Sequence, residues 1–458
     1  MEGLKRKLLE FVELSIGILK SKLEKKLIQP HKMTQHLPKV DLIDTETHTQ
    51  IKTSFERIEI DIWTIAIHDL VKNVIMNKEL YSQIKEIIIQ NYNVVIRKFF
   101  PGAKIDSQLD FILSQYLIKI LNRTISKEYD LNLIKQEIEI FLCELKGEDI
   151  EYHSIFYITH LYTDSNEIEI IPGVILRHPK ISDFVEPITQ QVITIQNPNI
   201  IVPKLILETK MKFKDESEAR DFGFRIIQCL RLYSKNVAYC SYMKVQRISI
   251  MYPVSSMQNY IARIPQIKQY IISTKQEPHF VEFIKIILKY LGNLSQNDKH
   301  QRINHAFLKH GESLLQDDQY IKKLSNAVIG LEALYKFETE RSKITKKLCE
   351  RIATTFSTNE KEFSIIEEKM RRAYFFRSQD LHGNIIRKEW LKEIEKLYQN
   401  IIEILRLSVI LFLYSSDKQT PLEIMLDSQC DKNQELSELK GKASKELEID
   451  FSSNNVFN

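Results

Sequence analysis

Apolar residues recur at helical spacing through most of this chain, with one β-like interruption in the middle. Residues 1–30 read as an amphipathic helix that stops before Pro30. The stretch to about residue 54 is polar and without sustained periodicity, which predicts a linker or loop. From Phe55 to Lys146 the pattern is helical. Trp63, Ile67, Val71 and Ile75 return every four residues and share a face. Pro101-Gly102 is a helix stop, and Asp106 and Ser107 are candidate caps for a helix with Phe111, Ile112, Tyr116 and Ile120 inward.

After Gly147 the texture changes. Residues 153–214 hold β-branched runs (Ile168 and Ile170, Val174 to Leu176, Val192 to Ile195, Ile200 to Phe213), punctuated by Pro172-Gly173 and Asn197-Pro198. These predict a small antiparallel sheet. A helix follows from about Glu216, with Asp215 near its start and Ala219, Phe222, Ile226, Leu230 and Tyr233 inward. Val245 to Tyr252 reads as strand, and residues 258–298 return to helix before the break at Ser295-Gln296-Asn297-Asp298.

Residues 302–414 carry the clearest helical pattern: Tyr320–Phe337, about Ile344–Phe356, Phe363–Phe376 and Trp390–Tyr414, the last with Leu391, Ile394, Leu397, Ile401 and Leu405 on one face. Short connections between long amphipathic helices predict an antiparallel bundle. Beyond Tyr414 the chain is polar and acidic, which predicts a disordered or loosely docked tail. The expected fold is mainly α. It comprises an N-terminal helical region (1–150), a middle α+β region (151–298), a C-terminal helical bundle (299–415) and a tail (416–458).

Composition narrows the function classes. Eleven glycines in 458 residues are roughly a third of the usual share of about 7%. Neither G-x-G-x-x-G nor G-x-x-x-x-G-K-[ST] occurs, so a dinucleotide fold or P-loop has no support. The net charge of +4 is too small to imply nucleic acid by itself. Cys143, Cys229, Cys240, Cys349 and Cys430 follow no C-x-x-C spacing, which favours a reducing compartment and disfavours a disulfide framework or zinc site. Glu10, Glu13 and Lys20 interrupt the N-terminal apolar pattern, so no signal peptide is read there. The most apolar segment, Ile401 to Tyr414, carries Glu403 and Arg406 and is too short to span a bilayer. The expectation is a cytoplasmic protein with no membrane partner and no cofactor.

Two segments carry candidate chemistry. Glu144-Leu145-Lys146 with Asp149 has the outline of a metal-dependent nuclease motif, but lies at a helix end, where a solvated terminus is the plainer reading. His305 and His310, five apart, read as surface residues. The stronger segment is Tyr374-Phe375-Phe376-Arg377-Ser378-Gln379-Asp380-Leu381-His382-Gly383-Asn384, between two bundle helices and after Arg371-Arg372. An arginine can clamp a phosphate in two contacts, and a histidine can move a proton at neutral pH. Together they suit cleavage of RNA through attack by its own 2′-hydroxyl, without a metal, leaving a 2′,3′-cyclic phosphate. On a straight helix, residues five apart lie about 140° apart around the axis, so Arg377 and His382 cannot easily meet. A break at Gly383 would redirect the histidine, or a dimer could bring two motifs face to face.

These residues resemble a family. Arg377-Ser378 through His382-Gly383, with Tyr374 ahead, is similar to the R-S-x-x-x-H-G signature of Apea-like HEPN domains. Val328 to Tyr335 is similar to that family's L-E-A-L helix, and Leu348 to Ala353 to its intervening helix. Phe224-Arg225-Ile226-Ile227-Gln228-Cys229-Leu230-Arg231-Leu232 loosely resembles the segment that precedes such domains. The likeness covers about residues 300–415. It implies a metal-independent endoribonuclease, dimeric through the HEPN bundle, of the toxin or antiphage abortive-infection kind. Its partners would be RNA, transfer RNA before messenger RNA, and a phage-derived trigger. The resemblance also implies Arg377 for phosphate and His382 for acid–base work. Ser378 would line the site and Glu332 would orient the motif. Tyr374, Asp380, Gly383 and Asn384 would support it. Arg371, Arg372, Lys346 and Lys347, with Lys343, would guide the RNA backbone, though Glu338, Glu340, Glu350, Glu367 and Glu368 interleave with them. Tyr374 and Trp390 read as core or interface residues before base-stacking platforms. The alternative function is a non-catalytic HEPN dimerisation, RNA-binding or sensor protein.

Overall fold

The computed structural model describes the chain apart from residues 1, 45–48, 63, 100–103, 126–129, 181–182, 184–204, 235–237, 249–254, 260–269, 295–300, 316–318, 337–343, 385, 417–430 and 453–458. Trp63, Pro101-Gly102, Val192 to Ile195, Asn197-Pro198, the break at 295–298, Lys343, Glu338, Glu340 and Cys430 lie outside the described residues.

The chain opens with α1 (Glu2–Glu24) and a ribbon of β1 (His31–Asp44) and β2 (Thr49–Ile62). Next come α2 (Thr64–Leu70), a π-helical segment at Val71–Ile75, α3 (Glu79–Phe99), α4 (Ile105–Ile125) and α5 (Leu131–Lys146). The middle region holds β3 (Ile150–Thr159), β4 (Leu161–Thr163), β5 (Glu167–Ile171), β6 (Val174–Arg177), β7 (Leu205–Phe213), α6 (Glu216–Tyr233), β8 (Tyr239–Arg247), β9 (Ser255–Asn259), β10 (Tyr270–Ile272) and α7 (Glu277–Leu294). The rest is helical: α8 (Gln301–Leu315), α9 (Tyr320–Tyr335), α10 (Ile344–Phe356), α11 (Glu360–Leu381), α12 (Leu391–Ser415) and α13 (Asp431–Leu447). The chain is mainly α with a middle α+β region, as the sequence pattern predicts.

The sheet runs β5-β6-β7-β3-β8-β9, every neighbouring pair antiparallel. One face packs Tyr152, Phe156 and Ile158 of β3 against α6, and the other carries Ile155, Tyr157 and Ile206. Asp215 caps α6 by accepting from the Glu218 amide at 2.9 Å.

Two apolar cores result. One is confined to residues 4–145. The other runs from Ile150 to Phe451, so sheet, bundle and tail share one core that does not divide near residue 298. Within the bundle, Gly330 lets α9 and α12 approach closely, because a Cβ there would lie 2.9 Å from both Leu405 methyls.

Several expectations are corrected. Residues 31–44 and 49–62 form a ribbon of fourteen paired positions, where a loop and then a helix were expected. Its stabilising partner is another strand, which local periodicity does not reveal. α4 starts at Ile105, so Asp106 lies in its first turn and does not cap it. Phe111 and Leu391 point outward, 53% and 51% exposed, although both fall on the predicted inner stripe. Strands at 255–259 and 270–272 displace the helix expected from 258, which starts only at Glu277. The described part of the tail is docked: Leu436, Leu439, Ala443 and Leu447 of α13 are buried against the second core, followed by Ile449 and Phe451. The apolar segment after Trp390 belongs to a helix, Lys388–Ser415, long and apolar enough to cross a membrane. It is a core helix because 89% of its most apolar stretch is buried in the protein, not because it is short.

Candidate functional site

The motif occupies the end of α11 and the turn after it. Asn359 starts that helix by accepting from the Glu362 amide at 3.0 Å. Ile366, Met370, Ala373, Tyr374 and Phe376 bury its inner face. The helix reaches Leu381, five residues past the predicted end at Phe376. It then stops in a Schellman turn. The Gly383 amide donates to Asp380 O at 3.1 Å and the Asn384 amide to Gln379 O at 3.0 Å. Gly383 sits at φ +66, the left-handed conformation that this turn requires. The Asn384 side chain reinforces it by donating to Gln379 Oε1 at 3.0 Å.

The break therefore exists at Gly383, but it falls after His382 and not between the two motif residues. His382 is the helix cap, its amide bonded to Ser378 O at 3.1 Å, so its position still follows the helical frame of Arg377. About 7.5 Å of rise and roughly 140° of rotation then separate them along the axis. Arg377 turns toward α9. Its Nη2 lies 2.7 Å from Glu332 Oε2, and its guanidinium lies 5.6 Å from the Tyr374 ring centroid. His382 is exposed, and no hydrogen bond joins it to Arg377 among the described residues.

The structure thus gathers Arg377, Glu332 and Tyr374. Arg377 Nε and the Tyr374 hydroxyl are buried without a hydrogen-bond partner among the described residues. Burial, with the nearby Glu332 carboxylate, pushes the Tyr374 hydroxyl well above the ordinary tyrosine range. Ser378 is half-buried beside them. Asp380 takes a different role from the one its neighbours suggest: Ser325 Oγ donates to Oδ2 at 2.7 Å and Lys322 Nζ lies 2.6 Å from Oδ1. α9 thereby grips the end of α11 at two points. Lys322 and Ser325 were not predicted, because nothing in their local sequence marks them as partners of a residue more than fifty positions away.

Three of the cations proposed for an RNA backbone already have carboxylate neighbours. Arg371 pairs with Glu367 at 2.6 Å, and Lys346 lies 3.6 Å from Glu350. Glu393 holds Arg372 in two contacts, 2.5 and 3.0 Å, and its guanidinium lies 4.5 Å from the Phe376 ring centroid and 5.9 Å from that of Trp390. Lys347 is exposed. Trp390 packs at the edge of the core, in edge contact with Phe375 and Phe376.

Two plain readings are corrected here. Glu144 is not a solvated helix end: its side chain is fully buried, with Arg247 Nη2 3.6 Å away. His310 is no surface residue either. It is 1% exposed, and burial, aided by Arg406 and Arg231, holds its pKa down at about 3. His305 is exposed as expected. Among the described residues no group of three or more His, Cys, Asp or Glu could hold a metal ion. Compared with family models, curated proteins and solved structures, the chain matches none of them.

Proposed function

We propose that this protein is a HEPN-type endoribonuclease that cleaves RNA without a metal through the substrate's own 2′-hydroxyl. The observation that carries the reading is the arginine. Arg377 is held by Glu332 over Tyr374, with its side chain partly open to solvent and its buried Nε without a protein acceptor among the described residues. A guanidinium fixed in this way suits the charge that builds on the non-bridging oxygens as the phosphorus passes through its five-coordinate, trigonal-bipyramidal arrangement. His382, one turn further at the helix end, is accessible for proton transfer. Because the two side chains stand apart in one chain, the active species is a homodimer in which two motifs share a cleft. The substrate class is transfer or messenger RNA, and the biological setting a toxin or antiphage effector released by a phage-derived trigger.

A second reading has its own support. Glu332 already neutralises Arg377, and His382 does not contact it, which suits a bundle that dimerises or binds RNA without cutting. One experiment separates them: sequencing of cellular RNA ends bearing 2′,3′-cyclic phosphate after expression of wild type, Arg377→Ala and His382→Ala. New ends in wild type alone support the enzyme. The same ends in all three, or none in any with or without phage infection, reject it and leave the binding reading.

A further inference from the structure

A cavity of about 550 Å³ opens between α6, β8 and α8, with no residue of the Arg377 motif in its lining. Its volume is in the range of small-molecule sites, roughly 300–1,000 Å³. Phe224, Arg225, Gln228 and Arg231 line it from one face of α6, at the positions i, i+1, i+4 and i+7 that a helix aligns. Tyr239 and Phe307 close the other sides.

The chemistry of the wall is one-sided. Arg231 is 4% exposed, and its Nε donates to Ala238 O at 2.7 Å. No carboxylate pairs with it among the described residues, whereas Arg406, buried behind it, is neutralised by Glu403 in two contacts of 2.9 and 2.7 Å. A guanidinium taken out of water without a counter-ion is costly, and burial holds the pKa of Arg231 down at about 10. Arg225 adds a second positive charge at the exposed rim. The single carboxylate of the lining, Asp221, has Arg220 3.9 Å away. Gln228 also lines the cavity, its amide packed against Gly311 of α8 with a buried oxygen that is unpartnered among the described residues. Two arginines with no carboxylate on either among the described residues, beside aromatic walls, describe a ligand with an anionic end and a flat ring.

We propose that this cavity binds a nucleoside monophosphate, its phosphate on Arg231 and Arg225 and its base against Phe224 and the edge of Tyr239. The site is independent of the ribonuclease reading and stands or falls without it.

The test is calorimetric titration of the full chain with AMP, GMP, CMP and UMP separately, and with adenosine, guanosine, cytidine, uridine and inorganic phosphate. At least one monophosphate is expected to bind in the micromolar range, at least tenfold tighter than its nucleoside and than phosphate. Arg225→Ala, a rim change outside any hydrogen bond among the described residues, should weaken it at least tenfold, and Arg231→Gln more. Arg231→Gln can disturb folding through Ala238, so Arg225→Ala and the cavity-filling Leu308→Trp decide the matter if circular dichroism shows that variant altered. Absence of binding by all four monophosphates at millimolar concentration overturns the proposal. So does binding that Arg225→Ala and Leu308→Trp leave unchanged, or a nucleoside or phosphate that binds as tightly as the nucleotide.

Discussion

Lowering the pH from 6.5 to 5 should destabilise the second core by about 2 kcal/mol through His310 alone. The imidazole lies on α8 with 1% of its surface exposed, and its Nδ1 has no hydrogen-bond partner among the described residues. Arg231 on α6 and Arg406 on α12 oppose a positive charge there, and Glu403 is committed to Arg406. Burial is the larger cause, and the folded pKa falls from its ordinary 6.5 to about 3. Between those values the unfolded chain binds a proton that the folded chain refuses. The contribution of His310 is therefore complete above 6.5 and is lost as pH falls. Each unit below 6.5 costs about 1.4 kcal/mol, hence about 2 kcal/mol at pH 5. The assay is urea unfolding at pH 7.5, 6.5, 5.5 and 5, followed by tryptophan fluorescence. The chain has two tryptophans, so a Trp63→Phe background leaves Trp390, which packs on the second core, as reporter. His310→Leu removes the titrating group and should flatten the acid limb by about one proton. His160, also held low by burial, titrates alike in both proteins and cancels. An acid limb equally steep in His310→Leu would refute the reasoning.

Arg406→Ala would strand the Glu403 carboxylate, which is 2% exposed, without its partner and should cost about 3–5 kcal/mol in urea unfolding; a loss below 1 kcal/mol would show the pair to be solvated. Gly383→Ala meets no atom within 4 Å, so its cost is the left-handed backbone alone, about 1–2 kcal/mol, and Gly383→Asn should cost less; equal melting of Gly383→Ala and wild type would contradict the turn. Cleavage of RNA, if present, should persist in EDTA and disappear in Arg377→Ala, and loss of activity with the chelator would move the chemistry away from this motif. Asp380→Ala should loosen the hold of α9 on α11, measured as faster hydrogen exchange at Ser378 to Asn384, because Ser325 and Lys322 lose their shared acceptor.

Much of the architecture is legible in the amino-acid sequence. The bundle helices follow from apolar residues three and four apart, since a helix that must bury a stripe has to repeat at that period; Leu324, Val328 and Leu331 are buried as the stripe demands. The sheet strands after Gly147 were legible in β-branched runs, and the Pro172-Gly173 turn joins β5 to β6. The ribbon of 31–44 and 49–62 was not legible, because each strand is held by a partner that its own sequence does not name. The tail misled in a related way: polar on average, it still carries Leu436, Leu439, Ala443 and Leu447 at helical spacing, and burial depends on those four rather than on the mean.

The candidate site divides along the same line. Residue types and spacing singled out Arg377, His382 and Gly383, and helical geometry alone warned that the pair stands on different sides. Only the tertiary structure decided which way each faces: α9 brings Glu332 to Arg377 and Lys322 to Asp380, while His382 stays in solvent. The burial of Glu144, Arg231 and His310 was likewise invisible to a local reading. A charged residue looks the same in sequence whether water or another helix covers it, and that covering is chosen by elements far away in the chain.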